Sequence, residues 1–420
     1  MQTSPTPAAE AAPAGLSPAL VATMAVACGL IAANLYYAQP VIRLIAPGLG
    51  LAPAAASLIV TLTQLGFCVG LVFLVPLGDV LENRRLVVGT LAGAAMALAL
   101  AASARTATPF LAACALVGLG SVAVQMLVPI AAHFTPEARR GRVVGQVMSG
   151  LLAGIMLARP VASLVAGHLG WRALFAASSL LMLALAALLW RRLPLRRPAR
   201  AAGGPGYGAL IASLWTVLRT QPLLRRRAAY QAAMFGAFSL YWTATPLLLA
   251  SPRFGLGPGG LAWFSLAGAA GALAAPVAGR LADQGHTRVA TGAALSLAVA
   301  AFVLAGLAGA GAGSLGLLLL AGIGLDLAVQ ANMVLGQRAI YSLGAAVRNR
   351  LNALYMVLFF FGGAFGSAIA SSLYLHGGWA AVAAAGAAFP AVALLWFATD
   401  RTGRVPGEAA PALGSAADGR

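Results

Sequence analysis

Apolar residues run along this chain in long unbroken stretches separated by short polar turns. Twelve such stretches lie near residues 18–39, 54–76, 86–104, 108–132, 143–166, 172–190, 229–250, 260–279, 289–308, 314–337, 351–374 and 380–398. Each holds about 18 to 25 residues, enough at 1.5 Å per residue to cross a hydrocarbon core of about 30 Å. None alternates polar and apolar positions as a barrel strand does, and unpaired backbone does not lie in lipid. The pattern therefore predicts an all-α membrane protein of twelve transmembrane helices.

The pattern is also written twice. His168-Leu169-Gly170-Trp171 returns as His376-Gly377-Gly378-Trp379, and at the same offset of 208 residues Arg140, Arg142 and Gly154 return as Arg348, Arg350 and Gly362. Leu77, Asp79 and Arg84 return as Leu281, Asp283 and Arg288, 204 positions on. A period this long is not that of a solenoid; it divides the spans into two homologous, pseudo-symmetric six-helix bundles. Paired halves in a membrane are a usual architecture of transporters. The expected organisation is a disordered tail over 1–16, a bundle over 17–190, a linker over 191–228, a second bundle over 229–399 and a disordered tail over 400–420. In the linker, five arginines lead into Gly203-Gly204-Pro205-Gly206, and then Leu210, Ile211, Leu214, Trp215 and Leu218 share one helix face. That predicts a flexible joint followed by an amphipathic helix on the membrane surface.

Composition narrows the possibilities. With 61% hydrophobic residues, 9% charged and a mean hydropathy of +0.89, a soluble domain is excluded, since one carries about a quarter charged residues. Lysine is absent, and 22 of the 27 arginines gather after even-numbered spans, in the linker and in the C-terminal tail. The opposite loops hold only Arg43, Arg105, Arg172 and Arg253. By the positive-inside rule both termini face the cytoplasm. The net charge of +18 is accounted for by topology and headgroup anchoring, so no nucleic-acid partner is expected. Residues ahead of the first span lack a basic n-region, so that span is expected to remain in the mature protein. Cys28, Cys68 and Cys114 lie inside spans without metal-ligand spacing; no metal or cofactor is expected. The four dispersed histidines make no catalytic cluster and no nucleotide-binding loop is present, so neither an enzyme nor an ATP motor is expected. The expected partners are the lipid bilayer, a small-molecule cargo and protons, with the protein a monomer.

The candidate chemistry is sparse and therefore readable. Asp326 is the one acidic residue deep inside a span, where a carboxylate costs about 2.5–3.5 kcal/mol on the mildest scale. It is the candidate proton carrier, a structural ion pair being the alternative. Gln330, Met333 and Gln337 share its helix stripe. Gln125 in the fourth span and Asn34 in the first are further candidates for lining a cargo cavity. So are Gln231, Phe235, Phe238 and Trp242 on one stripe of the seventh span, a surface suited to a flat apolar molecule. Arg159 is the second intramembrane charge; the fifth span's boundaries put it about 10 Å from the height of Asp326, which favours a structural or gating role over pairing. Ridges of small residues at spacing four, Gly66 and Gly70, Gly150, Gly154, Ala158 and Ala162, Ala267 and Gly271, and Gly362, Gly366 and Ala370, predict that spans two, five, eight and eleven form the contact between the halves.

The loop Gly78-Asp79-Val80-Leu81-Glu82-Asn83-Arg84-Arg85 resembles the signature loop of the major facilitator superfamily, and its twin from Gly279 through Asp283 and Gly285 to Arg288 is the closer match. The resemblance covers the chain outside its tails. It implies a cytoplasmic gate containing Asp79, Arg84, Arg85, Asp283 and Arg288, to which the repeated Arg140, Arg142, Arg348 and Arg350 are added. The fifth span is similar in part to the family's antiporter signature: Gly145, Gly154, Ala158 and Pro160 keep the spacing, while Arg159 intrudes and Ala162-Ser163 replaces a double glycine. Asn34-Leu35-Tyr36-Tyr37-Ala38-Gln39-Pro40, with Arg348-Asn349-Arg350-Leu351-Asn352, resembles a bacterial inner-membrane subgroup of drug:proton antiporter type. What that implies is proton-coupled efflux of small, amphipathic molecules by alternating access; uptake or facilitated diffusion of a small metabolite is the alternative.

Overall fold

The computed structural model describes residues 16–197, 206–268, 274–309, 314–344 and 347–399. The two tails, Gly203, Gly204, Pro205 and Gly271 lie outside the described residues. Regular structure within them is helical: α1 (Pro18–Ala33), α2 (Ile42–Gly48), α3 (Leu58–Phe73), α4 (Asn83–Ser103), α5 (Ala107–Ser121), α6 (Ala123–His133), α7 (Glu137–Leu169), α8 (Trp171–Arg192), α9 (Tyr207–Thr220), α10 (Pro222–Leu249), α11 (Pro258–Gly268), α12 (Ala274–Asp283), α13 (Thr287–Gly309), α14 (Leu315–Tyr341) and α15 (Arg348–Ala398). Their starts follow local chemistry. Ser17 accepts from the Leu20 amide at 3.3 Å with Pro18 in the first turn of α1, and Ser314 accepts from the Leu317 amide to open α14.

Nine helical lengths among the described residues are long and apolar enough to cross a membrane. One is α15, of 51 residues, which Gly378 at φ 61° and ψ −163° divides into two crossings. The apolar α1 has only 16 residues, and α11 and α12 flank residues outside the described set. The fourth crossing is α5 and α6 end to end. With α15 counted as two and α1 added, eleven of the twelve expected crossings lie on described residues, the eighth falling partly outside them, and the protein is a multi-pass membrane protein.

Gly378 lies where the repeat places it. Its counterpart Gly170, at φ 82°, joins α7 to α8, and both glycines adopt a conformation that side chains avoid. Each is followed by a buried tryptophan. Trp171 packs edge-on against Phe110, while Trp379 donates its indole N–H to the Ala305 carbonyl at 2.8 Å. The repeated His-x-Gly-Trp is thus a turn that anchors the ends of two helices, and His168 and His376 are exposed at it.

Within the first half α1 packs on α7, α3 on α5 and α4 on α8; within the second, α10 packs on α15 and α13 on α14. The halves meet where α3 lies on α15 and α7 on α11, the four expected spans. The described ridge glycines, however, do not make that contact. Built onto Gly154, a Cβ would sit 2.2 Å from the Gly29 carbonyl oxygen; onto Gly366, 1.9 Å from that of Gly236; onto Gly66, 1.9 Å from that of Ala115. All three face helices of their own half. The sequence ridges mark close helix approach but not which neighbour is approached. In this crossing Gly154 plays the part of Gly366, one turn away from its sequence counterpart Gly362.

Polar side chains join the halves instead. Thr61 and Ser367 share a hydrogen bond at 3.0 Å, Ser57 donates to the Ala368 carbonyl at 3.2 Å, and Gln64 donates to Ser239 at 2.7 Å. The α9 helix buries Leu214 and Val217 beneath the second half and leaves Trp215 exposed with Arg219 stacked on it at 4.5 Å. Its buried stripe is therefore narrower than the sequence face suggested.

A Gly366→Ala substitution is expected to destabilise the protein, because the methyl group meets backbone that no rotamer change relieves; overpacking of this kind costs about 1–3 kcal/mol or more. Gly89 has open space at its Cβ, and Gly89→Ala should hold or raise stability through helix propensity. Thermal unfolding in detergent distinguishes them, and equal melting of the two variants would contradict the packing account.

Candidate functional site

A cavity of about 900 Å³ lies between the halves. It opens at the arginine-rich face, where His133, Arg140, Arg196, Arg348 and Asn352 line it, and ends at mid-depth against Tyr36, Arg159 and Asp326. Beyond that point the halves are closed on each other. Gly167 of α7 abuts Pro258 of α11, and the Ser57 and Thr61 bonds tie α3 to α15.

The deep end is built around Trp242. Its indole N–H donates to Oδ1 of Asp326 at 2.8 Å, and the Arg159 guanidinium sits over its ring at 4.5 Å. The same guanidinium lies 5.1 Å from the Phe238 ring and 5.2 Å from the Tyr36 ring, an aromatic cage around a cation. Nε of Arg159 donates to Oε1 of Gln39 at 2.8 Å. One tryptophan therefore carries a carboxylate on its edge and a guanidinium on its face.

This corrects the expected difference in height. Arg159 lies ten residues from the end of α7 and Asp326 eleven from the start of α14, about 15 Å from the closed face in both cases. The fifth crossing, α7, runs from Glu137 to Leu169, three residues past the end expected at 166, which sets Arg159 farther from the closed face.

Of the other expected cavity residues, Gln125, Phe235, Phe238, Gln330 and Met333 line it. Phe235 stacks on Phe359 at 3.8 Å between centroids, making the apolar wall flat. Asn34, Gln231 and Trp242 do not line it. Asn34 turns into its own half, accepting from Ser178 at 2.6 Å. Gln231 is fully buried between α10 and α14, where its Oε1 accepts from Asn332 at 2.6 Å. Trp242 stands behind the wall as a support. Tyr36, Gln39, Phe359 and Phe360 belong to the site and were not singled out as site residues; the run from Asn34 to Pro40, read only as a resemblance, was the signal for the first two.

The expected gate residues hold their own halves together in this conformation. Arg84 donates to the Leu193 carbonyl at 2.9 Å, and Glu82 faces Arg85 at 3.5 Å and Arg197 at 3.7 Å. Asp283 pairs with Arg338, and Arg288 lies 5.3 Å from the Phe397 ring. Asp79 and Arg142 are exposed, and Arg350 is half-buried. Arg140, which donates to the Ala132 carbonyl at 3.2 Å, and Arg348, stacked on Tyr341 at 5.3 Å, stand at the cavity mouth.

The sequence matches the family described as Major Facilitator Superfamily over residues 24–347. It is 42% identical over 380 residues to the uncharacterized transporter YgaY of Escherichia coli O157:H7, spanning 90% of this chain and 95% of that protein. It is 34% identical over 401 residues to the probable transporter SCO4007 of Streptomyces coelicolor, spanning 94% and 91%. Among solved structures, that of the nucleoside transporter NupG superposes with a TM-score of 0.71 at 13% identity, over 90% of this chain and 99% of that one, a likeness of fold alone.

Proposed function

This chain belongs to the major facilitator superfamily, and on that premise we propose that it is a proton-coupled exporter of small molecules working by alternating access. The observation that carries the reading is Asp326: one carboxylate, at mid-depth, on the wall of a cavity open at a single face. When ionised it holds a cargo donor. When protonated it releases that donor, so proton and cargo exclude each other at one group, which is what exchange requires. A proton entering down the potential supplies about 2.3 kcal/mol per 100 mV.

The positive-inside pattern supports a cytoplasmic arginine-rich face in a bacterial inner membrane, so the conformation described here loads from the cytoplasm. The bundles over 17–190 and 229–399 then rock about the α3–α15 and α7–α11 contacts, as a monomer. In the opposite state the mouth closes, and Arg140 and Arg348 come within reach of the Asp79 and Asp283 loops, the role proposed for these gate residues together with Arg84, Arg85, Arg142, Arg288 and Arg350.

The test is proton movement in proteoliposomes containing a pH-sensitive dye, on addition of tetraphenylphosphonium, ethidium, chloramphenicol, phenylalanine, glucose and benzoate in turn. Proton flux opposite to cargo is expected for at least one probe. Flux in the same direction would make the protein a symporter, and labelled cargo equilibrating without proton movement would make it a facilitator; either result overturns the exporter reading.

A further inference from the structure

Two opposite charges face this cavity, and among the described residues no ion pair joins them. Arg159 is only 6% exposed; Gln39 occupies its Nε, while its Nη2 has no hydrogen-bond partner. Across the indole of Trp242, Asp326 has one oxygen on the ring N–H and its carboxylate on the cavity wall. Burying each charge costs several kcal/mol, of which a well-aligned, hydrogen-bonded contact would offset part. Each is instead held by the Trp242 indole, the guanidinium 4.5 Å from its ring centroid and Oδ1 of Asp326 2.8 Å from its nitrogen.

A cargo with a single charge answers one of these groups, leaves the other exposed to a low dielectric and brings net charge into the membrane. A zwitterion answers both and brings none. Carboxylate matches the guanidinium fork, and an ammonium offers three donors to a carboxylate. Held on the face and on the edge of one indole, the two groups suit a cargo whose own charges lie on the same or neighbouring carbons. The wall beside them is apolar and flat through Phe235, Phe238 and Phe359. At the mouth, Arg140, Arg196 and Arg348 set a positive field that draws the carboxylate end in first.

We propose that the cargo is a small zwitterion with an apolar body, its carboxylate on Arg159 and its ammonium on Asp326. This rests on the reading of the cavity as a cargo site and names the class of cargo it takes. Arg159 is then a recognition residue and Trp242 the spacer that sets the distance between the two charges.

The experiment is calorimetric titration of the purified protein in nanodiscs with three matched triads: phenylalanine, leucine and valine, each with its decarboxylated amine and its deaminated acid. For at least one triad the zwitterion is expected to bind tenfold or more tighter than both analogues. Arg159→Gln should remove the advantage over the amine, and Asp326→Asn the advantage over the acid. Arg159→Lys, which keeps the charge but not the fork, should retain part of the preference, and thermal unfolding identifies any variant that fails to fold. Equal binding within every triad, preference for a singly charged analogue, or no binding of any triad overturns the proposal. If a zwitterion binds as expected but moves no protons in liposomes, the exporter reading fails alone. If proton-driven flux occurs only with singly charged probes, the zwitterion proposal fails alone.

Discussion

Asp326→Asn is expected to fold and to lose proton-driven transport, while cargo still crosses down its own gradient. The amide oxygen of asparagine can accept the Trp242 N–H as Oδ1 does now, so the geometry at the deep end is retained. What disappears is the charge that a proton cancels. If Asp326 carries the proton, cargo-coupled proton flux in the variant should fall to the level of protein-free liposomes. The cost in stability comes from Arg159, which loses a nearby opposite charge that it does not contact but keeps the aromatic cage and Gln39, so the variant should melt only modestly lower. Dye-reported proton flux beside labelled-cargo equilibration reads the two effects separately, with melting in detergent as the control for folding. Wild-type proton flux in the variant would remove Asp326 from the mechanism.

The length and apolarity of the spans made the architecture legible, because crossing lipid demands both and nothing else in a chain does. The same uniformity hid which side of each helix faces what. Phe359 and Phe360 are buried at the cavity while Phe361 and Phe365 are each 58% exposed on the lipid side, and the four are equally apolar. In water, polarity would have separated them; in a bilayer both environments accept a phenylalanine. Polar residues were misread for a related reason. Gln231 and Asn34 are as costly in lipid as Gln125 and Gln330, and the cost is met equally by a neighbouring helix or by a cavity. Only the charges were distinctive, since neither Asp326 nor Arg159 could be satisfied by an amide neighbour alone. Their relation escaped the sequence because it passes through Trp242, a residue of a third helix.

Trp242 should prove as sensitive as the charges it separates. It is 2% exposed, edge-on to Phe264 at 6.0 Å between centroids, and its ring fills the space where Gly268 lacks a Cβ, so α10 and α11 are fixed together at this point. Trp242→Ala removes packing, donor and spacer at once. Large aromatic truncations in a core cost about 3–5 kcal/mol, and the variant should melt lower as well as lose transport. Trp242→Phe is the sharper probe. It keeps a ring for Arg159 and most of the packing but removes the N–H that donates to Asp326. A hydrogen bond to a charged group is worth about 1.5–3 kcal/mol, so the ionised carboxylate loses that much support and the proton is held tighter. The expected result is near-normal folding, a proton-flux profile displaced to higher pH, and flux at neutral pH reduced about tenfold or more. Profiles of wild type and Trp242→Phe that coincide across pH 5 to 9 would show that the indole N–H does not tune the carboxylate, and would reduce Trp242 to a packing residue.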